Sequence, residues 1–373
     1  MTVTATTDSA TGTRPPRREI GPDVVRAVAL IGVVVMNYHG YLLLRGAPTE
    51  VDTVATRLFD PFAGPLSTRF AATFVLVAGV SVTLLTRSAA GDAAALSSMR
   101  WRLVRRGTVL YVAGIVLDTA WPGTILPFYG AMFAVAGLVV TWRSRWILAA
   151  GTAAALAAAG ISWWRYQQAL DGQTNTWWDA SGFSTAKGML LDVTVNGTHP
   201  LLPWLAFFCT GIIVGRLLRR PGLGVALIAV GFTLFGVATL VADTVRGGDT
   251  GSGLASELAS DNPFDRGLMY TTSALGTSLV AFAAISLLAE QFATSRAVDV
   301  LRSAGQMTLT LYVLHALVFN LVVDWLDWVR PTGLDTALLF AIGYWVVALG
   351  AARTWLRHHR RGPLETVYRR LTA

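Results

Sequence analysis

An acid, a guanidinium, a primary amide and an imidazole stand in one otherwise apolar run: Asp23, Arg26, Asn37 and His39. Inside a bilayer, ionisable groups cost about 2.5–3.5 kcal/mol each on an insertion scale, which makes them a functional-site hypothesis. Asp23 and Arg26 are three residues apart and share a helix face. Asn37 follows Arg26 by eleven, so it returns to within about 20° of the same stripe, about 16 Å farther along. The three make one polar seam that must face other helices or a wet cavity. Asp23 and Arg26 read equally as an ion pair at the helix end, because long basic side chains reach out to the interface there. His39 lies about 220° around from Arg26 on an ideal helix, so unless the helix loosens near Gly40 it serves a different surface. Its neutral ring can act as a general base or carry an acyl group.

Other polar residues fall at comparable depth. Arg69 opens the second apolar run, Asp118 ends the third, and His199 precedes Pro200 ahead of Trp204 in the sixth. A carboxylate beside a histidine orients the imidazole and raises its basicity, which pairs Asp118 with His39. Asp118 reads equally as a cap on the Trp121-Pro122-Gly123 turn. In the ninth run Thr308, Tyr312 and His315 share a stripe at spacings of four and three. Hydroxyls on such a helix commonly make interhelical hydrogen bonds only. His315, near mid-membrane, needs a partner or water. Walker and Rossmann glycine patterns, zinc spacings and a nucleophile elbow are all missing, which counts against ATP-driven and redox chemistry. The single cysteine, Cys209, excludes a disulfide within the chain and a cysteine-built metal site, and no metal is expected.

These groups need elements to position them. Hydrophobic residues make up 53% of the 373, charged residues only 14%, and mean hydropathy is +0.52. Soluble domains carry about 25% charge, so the chain is of the membrane class. Apolar runs predict an all-α, polytopic bundle of about ten transmembrane helices, at 24–44, 67–86, 107–121, 124–141, 146–164, 201–218, 222–242, 268–289, 304–326 and 334–356. The third is short enough to be half of a hairpin that does not fully cross. Of the thirty cations, twenty-one fall on one side of this alternation and eight on the other. That is the positive-inside pattern rather than a nucleic-acid surface, and it predicts cytoplasmic termini. Residues 1–20 read as a cytoplasmic tail, 21–356 as one transmembrane domain, and 357–373 as a basic cytoplasmic tail containing His358 and His359. The loops 45–66, 165–200 and 243–267 then face outward, the last Gly/Ser/Asp-rich and expected to be mobile. No internal repeat supports an inverted-repeat transporter.

The spacing of Asp23, Arg26 and Asn37, followed by Tyr38, resembles the start of the heparan-alpha-glucosaminide N-acetyltransferase-like proteins of the transmembrane acyltransferase superfamily. Further blocks resemble that family's bacterial members: the run from Phe74 to Ser81 with Gly79, Ile125 to Gly130 with Tyr129, Pro200 to Gly211, and Ser303 to Tyr312. Three positions depart from it. No histidine lies in 40–66, where the family's functional histidine falls, Thr68 stands where an acid is expected, and Ala27 replaces a glycine.

The resemblance implies an acyltransferase of the cytoplasmic (inner) membrane. It would move an acyl group, acetyl first among them, from cytoplasmic acyl-CoA to an extracytoplasmic glycan or glycolipid. His39 and Asp118 would be catalytic. Asp23, Arg26, Asn37, Arg69, Tyr129, His199, Trp204, Thr308, Tyr312 and His315 would bind substrates. Membrane lipids are expected partners, nucleic acid is not, and a homodimer is left open. The rival readings are a lipid or small-solute transporter and a non-catalytic sensor or scaffold.

Overall fold

The computed structural model describes all residues except 1–18, 49, 90, 174–177, 248–252 and 331. Most of the expected N-terminal tail, with Arg14, Arg17 and Arg18, therefore lies outside the described residues, as does part of the 243–267 loop. Every regular element among the described residues is a helix. Twelve carry the fold: α1 (Gly21–Leu44), α2 (Arg69–Thr86), α3 (Ala93–Asp118), α4 (Leu126–Val139), α5 (Ser144–Leu170), α6 (Leu201–Leu217), α7 (Leu223–Gly247), α8 (Leu268–Gln291), α9 (Arg296–Gln306), α10 (Thr308–Phe319), α11 (Leu334–His358) and α12 (Pro363–Leu371).

Among the described residues, seven stretches are long and apolar enough to cross a membrane: α1, α2, α5, α7, α8, α10 with the turn that follows it, and α11. An eighth forms if Ala186–Asn196 and α6, bent by 58°, make one broken span. The remaining two expected spans are a hairpin. α4 has 14 residues, about 21 Å at 1.5 Å per residue, against a hydrocarbon core of about 30 Å. α3 begins well before the expected position 107, because the Asp92 side chain caps it by accepting from the Ala94 and Ala95 amides at 2.9 and 3.0 Å. Its first fourteen residues carry Arg100, Arg102, Arg105 and Arg106.

The expected helix 304–326 is broken at Met307, whose φ of −119° and ψ of 24° leave the helical region. The amides of Leu309 and Thr310 are thereby freed, and Glu365 of α12 accepts both, at 2.8 and 3.1 Å. The Thr310 hydroxyl donates to the other carboxylate oxygen at 2.6 Å. A carboxylate on a helix N-terminus is favoured by the exposed N–H groups and the helix dipole. The C-terminal segment is thus a docked helix that caps α10. Two π-turns, Asp192–Asn196 and Asn320–Trp325, fall in segments that were expected as loop and as helix end. Such turns recur at functional sites.

α1 runs through the middle of the bundle and packs against α2, α8, α9, α10 and α11. Its Val25, Ala27, Leu30, Val34, Tyr38 and Leu42 are fully buried. The outer faces of α7 and α11 instead expose Val225, Phe232, Leu240, Leu339, Val346 and Val347, as a lipid-facing surface does. α2 and α6 cross in backbone contact: a Cβ on Gly211 would stand 2.0 Å from the Leu76 carbonyl oxygen, and one on Gly79 2.1 Å from that of Phe208. Small residues permit such close approach. Gly211→Ala is therefore expected to cost about 1–3 kcal/mol through overpacking and to lower the unfolding temperature in detergent. Gly160→Ala, whose Cβ would meet nothing within 4 Å, is the control and should be neutral or slightly stabilising.

Candidate functional site

Three cavities follow one another through the bundle. An outer chamber of about 220 Å³ is lined by Asn37, Tyr41, Phe62, Thr198, His199 and Phe264, among others. An inner chamber of about 210 Å³ is lined by Arg26, Ser81, Tyr129, Gln306 and Thr308. Ile125 and Tyr312 line both and form the wall between them. Beyond the inner chamber lies a basic vestibule of about 270 Å³ with Arg106, Arg360, Arg361 and Arg369. Gln306, Glu365 and Tyr368 line both of these last two.

The seam on α1 serves two of the three. Arg26 reaches into the inner chamber, held by Gly305 O at 3.1 Å, by the Ser81 hydroxyl and by Asp23 at 3.6 Å. Buried Asp23 is its ionic partner at the helix end. About 16 Å along the same stripe, Asn37 reaches the outer chamber. Its Nδ2 lies 3.2 Å from His315 Nε2. His315 Nδ1 contacts the Tyr312 carbonyl, which can only accept, so Nδ1 carries the proton and Nε2 accepts from Asn37. His315 is fully buried, its carbonyl accepts from the Tyr38 hydroxyl at 3.1 Å, and it orients Asn37 from behind. The Tyr312 hydroxyl is fixed by Thr124 at 3.0 Å and by the Ile125 amide at 3.1 Å. The buried Tyr129 hydroxyl has no hydrogen-bond partner among the described residues.

The structure does not bring His39 and Asp118 together. His39 is 1% exposed, with Nδ1 2.8 Å from Phe59 O and Nε2 2.9 Å from Glu50 Oε2. With an oxygen partner at each nitrogen, both sides of the ring are engaged within the protein, and neither is left for an incoming substrate. The other Glu50 oxygen accepts from the Leu334 amide. His39 therefore ties α1 to the outer loop and to the start of α11.

Asp118 is linked, through the turn it closes, to a different histidine. Its Oδ1 accepts from the Gly123 amide at 2.8 Å, closing the Trp121-Pro122-Gly123 turn. Gly123 adopts φ +80°, which glycine tolerates freely. The Gly123 carbonyl accepts from the Thr198 hydroxyl at 3.1 Å. Thr198 Oγ1, its proton thus committed, accepts from His199 Nδ1 at 2.9 Å. That fixes the tautomer: Nδ1 bears the proton and Nε2 keeps its lone pair, with no partner among the described residues. The ring rests edge-on against Trp204 at 4.6 Å, and Trp204 is buried behind it rather than open to a substrate.

The backbone around His199 is clamped by two arginines from other elements. Arg266 donates to the carbonyls of Val195, Asn196 and Gly197. Arg165 donates to Asn196 Oδ1 at 2.6 Å and to Trp178 O at 3.1 Å. His199 sits in the turn before α6, at the break between the two helices and within neither. Burial, with the Arg266 guanidinium behind it, holds the ring below the usual imidazole pKa and so in its neutral form. Arg69, expected at the acceptor site, turns aside, with its guanidinium over the Tyr270 ring at 5.6 Å.

Glu50, Thr198, Arg165 and Arg266 were not singled out in the sequence. One signal was available for the arginines: both belong to the minority of cations on the side expected to face outward, where a basic residue needs a local reason.

Among known families, the one described as heparan-alpha-glucosaminide N-acetyltransferase, catalytic, matches residues 18–233. A second, described as a protein of unknown function (DUF418), matches residues 218–373. No curated protein matches the chain.

Proposed function

The chain belongs to the heparan-alpha-glucosaminide N-acetyltransferase catalytic family, and from that premise we propose that it transfers an acetyl group from acetyl-CoA, through the bundle, to a hydroxyl or amine of a glycan or glycolipid outside. The observation that carries this reading is the line of three chambers. A basic vestibule, an inner chamber that holds Arg26, and an outer chamber with a lone-pair histidine share lining residues at each boundary.

The vestibule suits the phosphates of the donor, with Arg106 and Arg369 as the cations that would meet them. The buried Arg106 Nε has no hydrogen-bond partner among the described residues. The donor's amide-bearing arm would lie in the inner chamber beside Arg26, Gln306 and the unpartnered Tyr129 hydroxyl. Its thioester would pass Tyr312 to reach Asn37. In the outer chamber His199 Nε2 would take the proton of the acceptor's hydroxyl or amine. The acceptor's oxygen or nitrogen would then attack the thioester carbon. Collapse of the tetrahedral intermediate breaks the carbon–sulfur bond and releases the coenzyme A thiolate, which takes up a proton. Asn37, oriented by His315, would hold the carbonyl oxygen as it gains charge. On this reading Asp118 and His315 are positioning residues, and His39 is structural. On this reading the vestibule would face the cytoplasm of a cell with this chain in its inner membrane, which the positive-inside pattern of the cations supports.

The test is acetyl-CoA binding to the purified full chain in nanodiscs, together with thioester cleavage in the presence of amino sugars. Arg106→Gln with Arg369→Gln is expected to weaken acetyl-CoA binding at least about tenfold, equivalent to about 1.4 kcal/mol. Raising the salt should shrink that difference. Folded protein that neither binds acetyl-CoA nor cleaves it with any amino sugar would overturn the proposal.

A further inference from the structure

A second groove lies away from the three chambers. It has a volume of about 760 Å³, runs between α10 and α11, and opens on the lipid-facing side. Its walls are apolar, with Leu311, Leu314 and Val318 on α10 facing Gly343, Val347 and Ala351 on α11. The groove exists because α11 presents small residues here: a Cβ on Gly343 would meet nothing within 4 Å. At one end it reaches Trp355 and Pro363. Those two residues also line a second pocket, of about 470 Å³, whose other walls are His358, His359, Arg360, Arg361 and Thr366. Trp355 makes the junction. Its indole N–H donates to Arg361 O at 2.8 Å, and its ring stacks on His359 at 4.0 Å. No carboxylate lines either cavity among the described residues.

An apolar slot that ends at a tryptophan and then at exposed cations has the chemistry of a lipid with a negative headgroup. Tryptophan marks the boundary between hydrocarbon and headgroups, and cations just beyond it attract anionic lipids. The length agrees. From Trp355 to Gly343 is twelve residues, about 18 Å of helix, close to one leaflet of a hydrocarbon core about 30 Å thick.

We propose that this groove is a binding site for one anionic glycerophospholipid, with an acyl chain between α10 and α11 and its phosphate on the 358–361 turn. Arg360 and Arg361 line the donor vestibule as well, so the lipid headgroup would form part of the vestibule's rim. The proposal stands on the groove and its basic end, and it holds whether or not the chain transfers acetyl groups.

Native mass spectrometry of the detergent-purified full chain tests it, with phosphatidylglycerol and phosphatidylcholine of identical chains as the probes. Phosphatidylglycerol is expected to bind at least fivefold more tightly. Gly343→Leu, which fills the groove, should weaken phosphatidylglycerol at least fivefold. Ala351→Phe fills the same groove from an exposed position one turn from Trp355, so the result does not hang on one variant's folding. Arg360→Gln with Arg361→Gln should abolish the preference for phosphatidylglycerol, since each surface arginine contributes about 1 kcal/mol toward an anionic lipid, roughly fivefold. Equal binding of the two lipids would overturn the proposal. So would unchanged phosphatidylglycerol binding in both groove-filling variants that fold. A dimer that Gly343→Leu disperses, with no lipid preference in the wild type, would assign the groove to a second copy of the chain instead. Displacement of the bound lipid by inorganic phosphate alone would reduce the site to a headgroup pocket and sink the acyl-chain half of the proposal.

Discussion

His199→Ala is expected to slow acetyl transfer by about 10²–10⁴-fold, the usual contribution of a general base, while acetyl-CoA binding stays within about twofold. The size of the effect rests on the lone pair that the Asp118, Gly123 and Thr198 chain leaves at Nε2. Thr198→Val removes the hydroxyl that fixes the tautomer, so it should cost less than His199→Ala and leave the base itself in place. The pH profile gives an independent readout. Because burial and Arg266 hold the imidazole below its usual value, the ring stays neutral, and able to accept a proton, as pH falls through about 6.5. The acid limb of kcat/KM should therefore lie below that of an ordinary histidine. Arg266→Gln removes one of the two causes and should move the limb upward. A His199→Ala protein that is folded and fully active would remove His199 from the mechanism.

Asn37→Ala is the second large effect, about 10²–10³-fold in kcat, the range for loss of one preorganised donor to a developing oxyanion. The loss should fall on kcat rather than KM, because the interaction strengthens only as charge develops. His315→Ala should reproduce part of it. His315 touches neither chamber and acts through the hydrogen bond that orients Asn37. The double variant separates the two roles. If His315 works only through Asn37, then Asn37→Ala with His315→Ala should be no slower than Asn37→Ala alone. A double variant much slower than either single would show a separate role for the imidazole.

Much of the architecture was legible in advance, for a simple reason. A membrane span must be about twenty apolar residues, and runs of that kind stand out in α1, α2, α5, α7, α8 and α11. The stripe joining Arg26 to Asn37 was legible too, because helical periodicity alone puts them on one line. What could not be read was anything set by a distant partner. The break at Met307 interrupts a run that is apolar on its far side, and its stabilising group, Glu365, is more than fifty residues away. Asp118 was paired with His39 on depth along the membrane, but its carboxylate closes the turn at Gly123 instead. His39 and His199 lie at similar depth, and only the turn at Gly123 decides between them. His39 itself looked reactive because its acceptors, Glu50 and the Phe59 carbonyl, lie in a loop with no periodicity.

The hydrogen bond from Asn37 to His315 also bears on ancestry. Asn37 falls in the part of the chain matched by one family, residues 18–233, and His315 in the part matched by the other, residues 218–373. Arg26 with Gly305, Glu50 with Leu334 and Arg45 with Asp324 bridge the same border. Two names thus divide what physically is one unit. Neither half is a transplantable module. A chimera joined near Gly222 with a foreign partner would inherit one side of each contact and strand the other. In this chain, a change on one side of the border is therefore felt on the other.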